Sequence, residues 1–177
     1  MPYLVIAARS MVIVVFLAAF VGKARGRHAF IRFVDSLDSF GVRRRALQLP
    51  AAYAVVAAEA AAAIFLVFPA TVNYGLMLGG LTITVFTAAA LLARRLGRQP
   101  TCNCFGSTTE VLGTRHVVRN CVIVATAIIG LAAQTTSGHA HIAPAGAVLA
   151  AGLAVIAGFA IATWDDVATL LMPAGSR

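Results

Sequence analysis

Charge is scarce in this chain, and acidic charge most of all. Six Asp and Glu stand against 14 Lys and Arg, and together they make 11% of 177 residues. A soluble domain carries roughly twice that share, so a water-facing surface on all sides is excluded. The residue types that fill the gap are apolar: they make 60% of the chain, at a mean hydropathy of +0.90. Cysteine is also scarce. Three are too few for a disulfide-scaffolded fold, and an odd number leaves at least one unpaired within a monomer. The net charge of +8 comes without a basic face or a stacking module, so nucleic acid is not an expected partner. No cluster of positive charge precedes the first apolar run, whereas Lys23, Arg25 and Arg27 follow it. That order predicts a retained membrane segment in place of a cleaved secretory signal.

What is present is a series of long apolar runs. The pattern predicts an all-α, polytopic transmembrane bundle, a four-helix core plus one, as a single membrane domain over residues 1–177. The five spans are expected at 4–21, 50–68, 72–93, 117–133 and 145–163. Pro50 is expected to open the second, a position that proline tolerates at a helix start. Between the first two spans Phe30, Phe33, Val34, Leu37 and Phe40 recur at helical spacing, with Gly41 as a stop. Two placements fit that short helix: in the membrane interface, or packed on the end of the bundle. In the fifth span Gly146, Ala150, Ala154, Gly158 and Ala162 form a row of small residues that lets another helix approach closely, as scaffold or as a homodimer face. Trp164 follows where an interfacial aromatic belongs.

The basic residues set the expected orientation. The first connection holds seven and the third, with Arg119 just beyond it, holds five; Arg177 is at the C-terminus and Arg9 lies inside the first span. The connections on the other side hold none. The positive-inside rule then places the N-terminus outside, the C-terminus inside and the third connection in the cytoplasm of a multi-pass cell (inner or plasma) membrane protein.

That third connection carries Cys102 and Cys104. Two thiols at i and i+2 close a small, strained ring on oxidation, and such a bond is readily exchanged. Arg94, Arg95, Arg98, Arg115, His116 and Arg119 lie close in sequence, and positive charge raises the thiolate fraction. Cys121 fits either a resolving thiol or a buried apolar filler. Two other uses of these residues stay open. Cys102, Cys104, Cys121 and His116 are ligand types for a thiolate-rich Zn(II) or Cu(I) site, although the spacing matches no common zinc pattern. The cysteines are alternatively incidental to a turn set by Asn103 and Gly106. Glu59 is the acidic residue inside a span, a placement that costs on the order of 3 kcal/mol and calls for a partner or a function. By depth along the helices Arg9 is its expected partner, as a structural ion pair. The functional alternative is that Glu59 takes up protons released by dithiol oxidation or helps to bind a quinone.

Cys102-Asn103-Cys104-Phe105-Gly106, followed by Arg119-Asn120 opening an apolar helix, resembles the MauE family. These are redox-associated membrane proteins related to the DoxX group, whose usual motif has glycine at the middle position, where Asn103 stands here. Glu59 after Pro50 is similar to the Pro…Glu pattern of that family's second helix. The resemblance implies a membrane protein of thiol–disulfide processing or protein maturation. In methylamine utilisation such proteins act beside a thioredoxin-like partner, and relatives outside that pathway are common. The Cys102/Cys104 pair would exchange electrons with that partner, which makes a thiol–disulfide oxidoreductase the implied enzyme class. A metal-binding or transport protein, or a non-catalytic subunit assembled with other membrane subunits, are the alternatives. A periplasmic partner would need the cysteines on the outer side, opposite to the charge rule. A loop that dips into the bundle, or electron passage between compartments, would reconcile the two. With no second cysteine pair for a relay, a quinone or a moving loop would have to complete that passage.

Overall fold

The computed structural model describes residues 1–102, 110–136 and 143–164, the side chains of Cys102, Glu110 and Val111 excepted. Among them five helices are long and apolar enough to cross a membrane: α1 (Pro2–Ala24), α3 (Arg45–Val67), α4 (Val72–Arg95), α5 (Thr114–Thr136) and α6 (Pro144–Ala162). A shorter helix, α2 (Arg27–Ser36), follows α1. In lipid a helix satisfies its own backbone donors and acceptors, which is why apolar runs of this length take that form.

Side-chain partners fix the helix directions. Arg9 meets the end of α3 at Leu66 and Val67, while Lys23 meets Glu59, so α1 and α3 are antiparallel. Asn120 reaches Thr87 while Ala127 packs at Gly80, and Thr126 reaches Met11 while Gly130 packs on Ala8, which sets α5 antiparallel to both α4 and α1. α1, α3, α4 and α5 thus form an up-down-up-down four-helix bundle around Val12, Phe16, Leu66, Leu76 and Ala127. Two glycines permit its closest crossings. A Cβ on Gly75 would lie 2.9 Å from the Leu66 backbone nitrogen, and one on Gly130 would lie 2.8 Å from the Ala8 Cβ.

α6 lies parallel to α1 on the outside of this bundle. Tyr3 packs over Gly146, and Met11 and Val14 pack over Gly158. Ala154, Gly158 and Ala162 are buried there. The inner part of the small-residue row is therefore scaffold within one chain, covered by α1. Large apolar side chains such as Leu81, Val85, Leu153 and Ile156 project outward, as a lipid solvent allows.

One expectation about the basic end is revised. The second helix begins at Arg45, not at Pro50, which sits inside it. Gln48 ties its first turn back to the Val42 carbonyl, and Ala51, Ala52 and Val55 pack on α2, which offsets the backbone bond that Pro50 cannot donate. α2 itself buries Phe33 and Val34 against Ala52, and Phe30 stacks on Tyr53 at 5.0 Å between ring centres. Of its two expected placements the structure has the second, packed on the bundle end. Gly41 ends the following turn at φ +105°, a conformation that favours glycine, with the Arg98 guanidinium lying over it.

The cysteine connection rises from this same end. Thr101–Cys102 (β1) pairs antiparallel with Glu110–Val111 (β2), Cys102 opposite Glu110. The Thr101 amide donates to the Ser39 hydroxyl at 3.1 Å. Leu112 packs with Phe40, Phe86 and Ala90. This two-residue pairing closes the base of a loop and leaves the all-α class unchanged.

Candidate functional site

The charged groups of the bundle interior come from three helices. On α1 the buried positions Val12, Phe16, Ala19 and Lys23 fall on one stripe, spaced four, three and four residues apart. On α3 Ala52, Glu59, Ala63 and Leu66 do the same. On α5 the stripe is His116, Asn120, Ile123, Ala127 and Gly130, with Arg119 beside it. Packing these stripes together brings Lys23, Glu59, Arg119 and Asn120 to the walls of one cavity of about 440 Å³.

Lys23 is the pivot. At a helix end a lysine normally extends its ammonium outward to water, but here the side chain bends back into the bundle. Its Nζ donates to Glu59 Oε1 at 2.7 Å and to the Ala19 carbonyl at 3.3 Å, and it stands 5.0 Å from the centre of the Phe33 ring. Only 1% of the residue is exposed. Glu59 is 7% exposed, and its second oxygen, Oε2, is buried without a hydrogen-bond partner among the described residues. On the facing wall the Asn120 amide donates to Thr87 Oγ1 at 2.8 Å, and that hydroxyl donates to the Ile83 carbonyl at 2.7 Å. Aromatic rings of Phe16, Phe33, Phe40 and Phe86 supply apolar wall.

The expected Arg9–Glu59 pair does not form. Arg9 instead donates to the carbonyls of Leu66 and Val67 in the last turn of α3. Those carbonyls have no partner within the helix, and the negative end of the helix dipole favours a cation there. Lys23 takes the place beside Glu59. Its position on the buried stripe of α1 was the available signal, obscured because it follows the apolar run like an ordinary flanking charge.

The cysteines divide. The backbone of Cys102 is held in the β1–β2 pairing, and Cys104 lies outside the described residues. Cys121 is exposed, so the filler expectation is overturned: it falls one position past the buried stripe and faces away from the core. His116 is buried, and its Nδ1 accepts the Gly113 amide at 3.3 Å. Five residues apart on a helix, His116 and Cys121 face directions about 140° apart. The proposed ligand set of Cys102, Cys104, Cys121 and His116 is thus not gathered through these two members.

The base of the cysteine loop and the cavity share a wall. Leu112, next to β2, packs on Phe40 and Phe86, both of which line the cavity. A thiol loop is therefore anchored at one end of a chamber that holds an ion pair and a carboxylate oxygen with no partner among the described residues.

A family model described as methylamine utilisation protein MauE matches residues 1–133. That range takes in α1 to α4, the whole cysteine loop and all but the last three residues of α5. No curated protein matches the chain, and no solved structure does.

Proposed function

From membership of the MauE family, to which this multi-pass membrane protein belongs, we propose a thiol–disulfide redox protein whose Cys102/Cys104 pair exchanges electrons with a thioredoxin-like partner. In the exchange a thiolate on one protein attacks the disulfide of the other. The mixed disulfide is resolved by the second cysteine of the attacking pair. Two electrons move, one dithiol becomes a disulfide, and the other disulfide becomes a dithiol.

One observation carries this reading: the antiparallel pairing of Thr101–Cys102 with Glu110–Val111, fastened to α2's following turn through Ser39. It fixes the base of the thiol loop at the arginine-rich end of the bundle, where positive charge favours thiolate. Cys121 faces outward on α5, and the pair assigned to the exchange is Cys102 and Cys104. By the distribution of basic residues this end is cytoplasmic, with the N-terminus outside.

The test is a trapping experiment. A Cys104→Ser variant keeps one attacking thiol and lacks the resolving one, so it is expected to accumulate a reductant-sensitive adduct with a thioredoxin-like protein. The Cys102→Ser/Cys104→Ser double variant should give none. Equal capture by both variants would remove the exchange function.

A further inference from the structure

The cavity's opening says what kind of molecule can enter it. Ala54 on α3 and Leu81 and Val85 on α4 line the cavity and are also exposed on the outer face of the bundle. The entrance therefore lies sideways between α3 and α4, within the apolar spans, and leads to lipid. A ligand arriving by that route is lipid-soluble.

The inner end says what chemical groups the ligand carries. An acyl chain would fit the phenylalanine walls but would leave Glu59 Oε2 buried with no hydrogen-bond partner among the described residues. A buried carboxylate oxygen in that state costs on the order of 1–3 kcal/mol or more. Lys23 has three N–H donors, of which two go to Glu59 and Ala19. Lys23, with one donor left over, and Glu59, with one oxygen left over, both line the cavity, as does Arg119. The volume, about 440 Å³, is in the range of small-molecule sites.

We propose that this cavity binds a lipid-soluble quinone, with Lys23 donating to a carbonyl oxygen and Glu59 Oε2 passing protons to and from the ring oxygens. The proposal rests on the thiol–disulfide function, and it supplies the electron acceptor that three cysteines cannot. With Cys121 on the outward face of α5, the chain has no second thiol pair to carry electrons onward. Two electrons and two protons leave the Cys102 and Cys104 thiols as the S–S bond forms. The quinone takes up two electrons and two protons and becomes the hydroquinone. The Lys23 ammonium stabilises negative charge developing on a quinone oxygen before the proton arrives.

The experiment uses the full chain in lipid nanodiscs with decylubiquinone as the probe. Wild type is expected to bind it saturably and, when a reduced thioredoxin-like protein is added, to form decylubiquinol. Ala58→Trp, which fills the cavity from α3, should abolish the saturable binding. Val85→Trp at the rim, where the ring has room outside the bundle, should weaken it and covers the case in which Ala58→Trp does not fold. Glu59→Gln should slow decylubiquinol formation about a hundredfold. Undiminished binding in a folded Ala58→Trp or in Val85→Trp, or displacement of the probe by simple fatty acid at equal concentration, would overturn the quinone site. Reversible exchange with the partner in the absence of any quinone binding would also overturn it, and the thiol function would stand. Cavity-dependent binding without thiol-dependent reduction would overturn the quinone as electron acceptor, and absence of exchange with the partner would sink the thiol function itself.

Discussion

Arg9 and Lys23 both project from α1 onto α3, and the two contacts are built for different ends. Arg9 meets backbone: its guanidinium caps the last carbonyls of α3 in a partly exposed contact. Lys23 meets a side chain: it is held almost wholly inside the bundle against Glu59, a residue of the cavity wall whose other oxygen is buried with no partner among the described residues. A capped helix end is a fastening. A buried ion pair is a poor one, because desolvating both charges offsets most of their attraction. Keeping such a pair where two apolar residues would serve packing better points to a use for the charge.

Substitutions at the two contacts separate a fastening from a working charge. The largest effect is expected from Lys23→Met, which strands the Glu59 carboxylate and should cost about 3–5 kcal/mol of unfolding free energy. Lys23→Met/Glu59→Leu should restore most of that stability while thiol turnover stays lost. Unfolding followed by circular dichroism, together with a turnover assay, reads both. Restoration of turnover with stability would reduce the pair to packing.

Next is Glu59→Gln, which retains an oxygen for Lys23 and removes the charge. Abundance should be close to wild type and turnover should fall about a hundredfold, roughly 2.7 kcal/mol of barrier. Unchanged turnover would make Glu59 a fastening like Arg9. Arg9→Ala should do the reverse, with stability lower by about 1–2 kcal/mol and turnover per folded molecule unchanged. Loss of turnover there, measured at equal folded concentration, would erase the distinction between the two contacts. The smallest effect is expected from Cys121→Ala: within about 0.5 kcal/mol in stability, with the Cys102–Cys104 bond intact by thiol-trapping mass spectrometry.

The five spans, their order and their single basic end were legible because hydrophobic length and charge placement act locally. The pairing inside the bundle was less so. Arg9 was matched to Glu59 by depth, as if α1 and α3 ended level at the basic side. Lys23 in the last turn of α1 meets Glu59 14 residues into α3, so the helices are staggered and the carbonyls of the last turn of α3 lie nearer to Arg9. Lys23 has the charge of a flanking residue and the register of a core one. Its place on the Val12, Phe16, Ala19 stripe was readable, but the inward bend is decided by α2 closing over the helix end with Phe33. The same register argument would have set Cys121 outside, one position past Asn120. The cavity was not readable at all, since it depends on how far four helices stand apart.

The central claim is that the cysteine pair is a working redox centre, and thiol trapping tests it most directly. Purified, metal-free wild-type protein is alkylated with and without prior reduction, and the Cys102–Cys104 peptide is weighed. A disulfide that dissolves with reductant and re-forms on oxidation is the predicted result. Full alkylation of both cysteines under oxidising conditions would contradict the account.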